Sequence, residues 1–337
     1  MNQPFVSVII PTYNRKAWLR ELLDSLAQQT YPADRFEVIV VDDGSSDGTG
    51  EIAGQPFPFR LRYFRQTNQG DAAARNLGAQ QSQADILLFL DDDILLEKNY
   101  LAHVVPEHVS HPKRIVVGTD ILWLADTNPL HDPAYRPPPP TSAGMAALPF
   151  VDVCSNNMSL RREAYFAIGM MDGLGFSGSS IWCDVDMAYR AYCQGFEFLQ
   201  HKQAICWHRD HVAVSLESQK KRLREAAYRA VVLFQKNPAL VHHLPMFADK
   251  TPINFQHDSL ALVARKIARR ISALPPILAL MEFAFARLRN TPLRRPLRRW
   301  ILGGCIYRGF QEGRKKFGPI HTGPASFSSS LQDLTSK

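Results

Sequence analysis

Five consecutive apolar residues, Ile86-Leu87-Leu88-Phe89-Leu90, run straight into three carboxylates, Asp91-Asp92-Asp93. An uninterrupted apolar run of this length reads as a strand buried on both faces, the situation of a parallel sheet covered by helices. Three like charges at the strand end are costly unless a cation lies close by. Oxygen ligands at alternate positions suit Mg²⁺ or Mn²⁺, which complete their shell from water and substrate phosphates. An acidic turn or a helix N-cap would use the same residue types.

The remainder of the first half repeats the pattern. Val6 to Ile10 reads as a strand that ends in Pro11-Thr12-Tyr13-Asn14, followed by a helix from about Lys16 to Gln29 with Trp18, Leu19, Leu22, Leu23 and Leu26 on one face. Phe36 to Val41 is a second strand, closed by Asp42-Asp43-Gly44-Ser45. A short strand near Leu61 to Phe64 and an alanine-rich helix from Asp71 to Gln80 precede the acidic strand. Strands alternating with helices predict an α/β fold, a doubly wound, mostly parallel sheet whose ligands sit at the C-terminal strand ends. No Gly-x-Gly-x-x-Gly follows the first strand, which argues against a dehydrogenase.

Several clusters carry chemistry, each with a plainer reading. Asp42 and Asp43 can cap a turn, or accept hydrogen bonds from a base edge or ribose hydroxyls. Arg75 lies among Ala72, Ala73, Ala74 and Leu77, where a cation requires an anion or a base carbonyl. Asp184 and Asp186 stand at the start of a helix, where acids stabilise the helix dipole or act on a ligand. The stretch Gly173 to Ser180 before them suits a mobile loop. His208 ends a further strand, as a structural residue or a ligand. Pro129 to Pro149, with four successive prolines, reads as a surface excursion or a lid.

Taken in order, Val8-Ile9-Ile10-Pro11-Thr12-Tyr13-Asn14, Val41-Asp42-Asp43-Gly44-Ser45, Asn68 to Asn76, Phe89-Leu90-Asp91-Asp92-Asp93, Asn156-Asn157-Met158-Ser159 and Asp184-Val185-Asp186 resemble the family 2 glycosyltransferases. The resemblance covers roughly residues 5 to 212 and implies the GT-A nucleotide-sugar fold. It implies that Pro11, Thr12, Asn14, Asp42, Asp43, Arg75, Asp91 and Asp92 surround the nucleotide. Asp91, Asp93 and His208 would hold a divalent metal, Mg or Mn. Asp184 would be the base of an inverting transfer, and Asn156, Asn157, Trp182, Cys183 and Asp186 would face the sugar or acceptor. Cys183 departs from the family pattern, which has Glu there. The implied donor is a nucleoside diphosphate sugar, most commonly a UDP-sugar, and the acceptor a glycan or lipid-linked hydroxyl. A non-catalytic nucleotide-sugar-binding or scaffold protein of the same fold is the alternative.

The expected organisation is a catalytic domain over 1–215, divided near residue 95 into nucleotide and acceptor halves. A helical basic region over 216–320 and a tail over 321–337 without fixed structure follow. The net charge of +7 conceals an asymmetry: 265–316 carries +12 and 1–264 carries −5. A basic segment whose short apolar run falls below the ~20 residues that span a bilayer suits an anionic membrane surface, contacted through 263–316. No nucleic-acid recognition module is apparent. The N-terminus lacks the features of a cleaved signal, and five cysteines without paired spacing predict reduced thiols. A cytoplasmic protein, peripheral at the inner membrane face, is expected.

Overall fold

A computed structural model describes residues 3–122, 144–176, 181–209, 215–288 and 291–320. Most of the proline-rich loop (123–143), Ser177 to Ser180 and the tail from 321 lie outside the described residues. The chain divides into two compact units, Met1–Asp210 and His211–Lys337.

The first unit follows the order β1 (Val6–Thr12), α1 (Lys16–Ala27), β2 (Phe36–Asp42), β3 (Arg60–Arg65), α2 (Asp71–Gln81), β4 (Ile86–Leu90), β5 (Ile94–Leu96), α3 (Tyr100–Val104), β6 (Arg114–Leu122), β7 (Met145–Ala147), β8 (Asn157–Arg161), α4 (Arg162–Ile168), α5 (Cys183–Cys193) and β9 (Glu197–His208). Its sheet runs β3-β2-β1-β4-β8-β6-β9-β5, with β7 added on β9. The four strands β3, β2, β1 and β4 are parallel, as the apolar runs predict. From β8 onward the sheet is mixed: β8 is antiparallel to both β4 and β6, and β6 is parallel to β9. Every residue of β1, β2 and β4 is buried, so continuous apolar character is what these strands require.

On one face α1 packs Leu19, Leu22, Leu23 and Leu26 against Val8, Val38, Leu88 and Leu96. Trp18, expected on that apolar face, is only half-buried, and its ring instead carries the guanidinium groups of Arg15 and Arg209.

Between Val117 and Thr119 the β6–β9 register slips at Gly118. A side chain there would collide with the Tyr100 ring. The freed Gly118 amide donates to Asn157 Oδ1 at 3.0 Å, and Tyr100 donates to Asn157 O at 3.0 Å. The irregularity therefore remains hydrogen-bonded in the core.

The second unit is helical: α6 (Leu216–Lys236), α7 (Leu240–His243), α8 (Leu260–Ser272), α9 (Pro275–Arg287) and α10 (Arg294–Phe317). Phe234, Phe247 and Phe310 meet edge-on or tilted at its centre. The outer end of α6 is tied to α10 by Arg224 donating to Glu312 at 2.6 Å.

Candidate active site

The polar loops of the parallel half converge at the C-terminal ends of β1, β2 and β4. Thr12, last residue of β1, donates through Oγ1 to Asp92 at 2.8 Å. Arg15 reaches the same acidic turn, donating to Asp92 at 2.8 Å and to Asp93 at 3.0 Å. Burial pushes the Asp92 carboxyl up to about 6 against the opposing charge of Arg15. Asp92 is thus the carboxylate that fastens the turn to β1. Asn14 adopts φ +53° and accepts from the Ser46 amide through Oδ1, while its own amide donates to Ser45 Oγ. That exchange locks the loop after β1 to the loop after β2.

Asp42 and Asp43 are both inside the fold. Asp42 accepts from the Ser45 amide and the Tyr63 hydroxyl. Asp43 accepts from Gln66 Nε2 and from the Gln69 and Gly70 amides at 2.7–2.8 Å. Gly70, at φ +92°, lets the chain present that amide before α2 begins.

From α2 the Arg75 guanidinium, 2% exposed, donates to Asp71 at 2.7 Å and pairs with Asp91. Its Nε has no partner among the described residues. An Arg this deeply placed is tolerated because two carboxylates answer its charge.

Asp91, Asp93 and His208 bring one ligand atom each within 4.8 Å of one another. Strand register assembles them: β4 ends just before Asp91, β5 starts just after Asp93, and β5 pairs Ile94 with His208 on β9. The His208 ring donates through Nδ1 to Asp120 Oδ2, 3.1 Å away, and its other nitrogen lies 3.5 Å from Asp93 Oδ1. Burial disfavours the imidazolium, but Asp120 and Asp93 outweigh it and push the pKa up to about 10. Burial would likewise raise the Asp93 carboxyl, yet the His208 and Arg15 cations hold it below the ordinary range.

Do these residues fit a divalent cation? Among the described residues Asp93 Oδ1 is a buried oxygen that no donor reaches at hydrogen-bond geometry, its neighbour being His208 Nε2 at 3.5 Å. Two carboxylates around it, joined by the His208 imidazole once an incoming ion displaces its proton, form a donor set suited to Mn²⁺ or Mg²⁺, with room left for phosphate oxygens. They fit.

Asp184 lies in the first turn of α5. Burial raises its carboxyl above the ordinary value, opposed by the Val185 amide and the charge of Arg75. Arg75 thus acts electrostatically on both Asp91 and Asp184. Trp182, immediately before the helix, holds φ +77°, a conformation that costs a bulky side chain energy and is concentrated at functional sites. Cys183 is 1% exposed. Asp186 is fully buried and paired with Arg190, which also donates to the carbonyls of Ile168 and Met170. That pair anchors the chain at the end of α4, at Ile168 and Met170. Asn156 lies closer to the cluster: its carbonyl accepts from the Asp91 amide, and its Nδ2 donates to Asp120 at 3.0 Å. Asn157 faces the core, between Gly118 and Cys206.

Two residues at this site are missed by sequence reasoning. Arg15 follows directly on the Pro-Thr-Tyr-Asn loop, and a cation beside three acids is the signal that could have flagged it. Asp120 lies two residues before the end of β6 and becomes a neighbour of His208 only through the β6–β9 register, which no local pattern reveals.

Residues 7–168 match the family model for glycosyl transferase family 2. Glycosyltransferase AglE of Haloferax volcanii is 45% identical over 104 residues, 29% of this chain and 33% of that protein. Validoxylamine A glucosyltransferase of Streptomyces hygroscopicus subsp. jinggangensis is 40% identical over 119 residues, 34% of this chain and 28% of that protein. The chain thus spans about a third of the length of these curated relatives. Mannosyltransferase PcManGT from Pyrobaculum calidifontis, solved with GDP-Man and Mn²⁺, shares the fold with a TM-score of 0.58 at 18% identity, over 93% of this chain and 89% of that one. Residues 7–168 of this chain are therefore a glycosyl transferase family 2 domain, built on the GT-A fold.

Proposed function

We propose that the protein is an inverting, metal-dependent glycosyltransferase that moves a sugar from a nucleoside diphosphate sugar to an acceptor hydroxyl. The observation that carries this reading is the meeting of Asp91, Asp93 and His208 at the C-terminal ends of β4 and β9, with Arg75 acting on both Asp91 and Asp184. A divalent ion held by Asp91, Asp93 and His208 would supply positive charge to the departing diphosphate. The mannosyltransferase of like fold, solved with GDP-Man and Mn²⁺, supports both the donor class and the ion.

The chain's own groups account for the other requirements. Asp42, Asp43, Thr12, Asn14 and Pro11 form the wall where the nucleoside would rest, with Asp92 fixing the turn beneath it. Arg75 would balance the charge of Asp91 when the diphosphate arrives. Asp184, raised by burial, is a base able to take the proton of the acceptor hydroxyl as that oxygen attacks the anomeric carbon. A single displacement through an oxocarbenium-like transition state inverts the anomeric centre. Asn156, Trp182 and the neighbouring loops would frame the sugar and acceptor. The donor base is proposed as uridine, the acceptor as a glycan or lipid-linked hydroxyl, and the working place as the cytoplasmic membrane face.

Donor binding and turnover test this separately. A thermal-shift series of UDP- and GDP-sugars with and without Mn²⁺ should give a metal-dependent stabilisation in wild type that Asp93→Ala lacks. Asp184→Asn should keep that shift and lose transfer, with turnover falling about 10²–10⁴-fold. Wild-type turnover in Asp184→Asn would remove the base assignment. No shift with any nucleotide in folded protein would favour a non-catalytic scaffold, whereas a shift without transfer would favour a nucleotide-sugar-binding protein, the alternative to which the replacement of the usual Glu by Cys183 points.

A further inference from the structure

Helix α8 is turned inside out. Its cations Lys266 and Arg269 are buried, at 3% and 8% exposure, whereas Leu260, Ile267, Ile271 and Leu274 along its outer side and end are 90%, 46%, 52% and 49% exposed. An amphipathic helix on a water-soluble domain does the opposite. The rotation is fixed by polar contacts within the second unit. Lys266 Nζ donates to Pro252 O at 2.8 Å and to Asp258 at 2.6 Å. Arg269 donates to Asp249 at 3.0 Å and to Trp300 O at 3.1 Å, with its guanidinium 4.4 Å from the Trp300 ring centroid. Val263, which sequence periodicity groups with Ile267 and Ile271, turns inward instead, at 9% exposure.

Residues 260, 264, 267, 271 and 274 repeat at intervals of three and four, one continuous apolar stripe about 21 Å long at 1.5 Å per residue. It continues onto α9, which begins with Pro275 and Pro276, where Leu280 and Phe283 are 66% and 57% exposed. The Arg287 guanidinium lies 3.5 Å from the Phe283 ring centroid. Exposed cations border the stripe at Arg265 and Arg270, and Arg295 and Arg299 are exposed on α10. Among the described residues no helix is long and apolar enough to cross a membrane.

We propose that the outer face of α8 and α9 docks the protein on an anionic lipid surface, its apolar side chains seated at headgroup level and its arginines against lipid phosphates. An apolar stripe with basic flanks has the chemistry of an interfacial helix. Covering it with a second copy would bring together two segments that each carry +12, which disfavours that occupant. This inference rests on the membrane-face part of the proposed function and not on its sugar chemistry.

Flotation of the full chain with vesicles of equal parts phosphatidylcholine and phosphatidylglycerol, against pure phosphatidylcholine, tests it. Wild type should float with the anionic vesicles, more weakly as salt rises. The triple variant Ile267→Ser/Ile271→Ser/Leu274→Ser should lose binding by about tenfold or more. Since these side chains are exposed, the circular dichroism melt should not change. Arg265→Gln/Arg270→Gln should weaken binding and flatten its salt dependence. Equal flotation of wild type and the triple variant would overturn the proposal. So would absence of flotation, or a triple variant whose sole effect is a smaller mass at sedimentation equilibrium, the sign of a self-association face. The nucleotide-sugar thermal shift, measured on the same samples, separates the two readings: flotation without any shift would sink sugar transfer and leave this surface standing.

Discussion

Arg75 and Asp91 form an ion pair that joins α2 to the end of β4, with the guanidinium 2% exposed and its second arm on Asp71. Removing the cation leaves Asp91 next to Asp93 with its nearest counter-charge gone. Arg75→Met should cost about 2–4 kcal/mol of stability, toward the lower end of what breaking a buried pair costs because Asp91 retains some solvent. Urea unfolding measures the loss, and the nucleotide thermal shift should vanish with it. A variant as stable as wild type would mean that water compensates Asp91 fully.

Asp120 governs His208 from behind. Its Oδ2 meets the His208 ring at 3.1 Å and accepts from Asn156 at 3.0 Å, so one carboxylate orients two residues of the cluster. Asp120→Ala should weaken Mn²⁺ binding about 10–100-fold, as loss of an outer partner of a metal-binding histidine does. Electron paramagnetic titration of free Mn²⁺ reads this directly. Nucleotide affinity without metal should be unchanged, and a parallel loss there would indicate a collapsed site instead.

Much of this architecture is legible in the sequence because burial on both faces leaves an unmistakable trace. Runs such as Val38 to Val41 and Ile86 to Leu90 read as central strands and are buried throughout, and Arg75, a residue type usually solvated on a helix, is marked as interior by its alanine neighbours. The approach of Asp91 and Asp93 to His208 comes from resemblance alone, since 115 residues separate Asp93 from His208 and strand pairing closes the gap. Asp120 and Arg15 escape notice for the same reason: they acquire their roles from neighbours in space. The orientation of α8 is hidden because periodicity locates an apolar stripe without saying which way it faces. There, Asp249 and Asp258 draw the cations inward.

Gly309 and Gly313 on α10 let α6 approach to backbone contact. A Cβ at Gly309 would lie 2.1 Å from Arg224 O, and one at Gly313 would lie 2.3 Å from Tyr228 O. Carbonyls inside a helix cannot swing aside, so the helices must separate. Gly309→Ala should destabilise the second unit by about 3 kcal/mol, even though alanine is the better helix former by about 1 kcal/mol. Gly54→Ala, with nothing within 4 Å of the added carbon, is the control and should be nearly neutral. Equal melting temperatures for the two variants would show that α6 and α10 part at little cost.

His108 is fully buried, with Nε2 2.8 Å from Ser159 Oγ, and that hydroxyl lies 3.3 Å from Val116 O. The chain of bonds runs one way if His108 is neutral and donates through Nε2, leaving Nδ1 without a partner, as found among the described residues. Burial, reinforced by Arg114 and Arg161, lowers its pKa from 6.5 to about 3. Above pH 6.5 both the folded and the unfolded chain hold it neutral, and it adds no pH dependence. As pH falls from there toward about 3, the unfolded chain binds a proton that the folded one refuses, so stability is lost by up to about 1.4 kcal/mol per pH unit. His108→Gln removes that proton uptake while keeping a donor for Ser159. Its stability, followed by urea unfolding from pH 7 to pH 4, should decline less steeply than wild type by about that amount. Parallel curves would show that His108 is protonated in the folded protein, and that the Ser159 hydroxyl does not require it neutral.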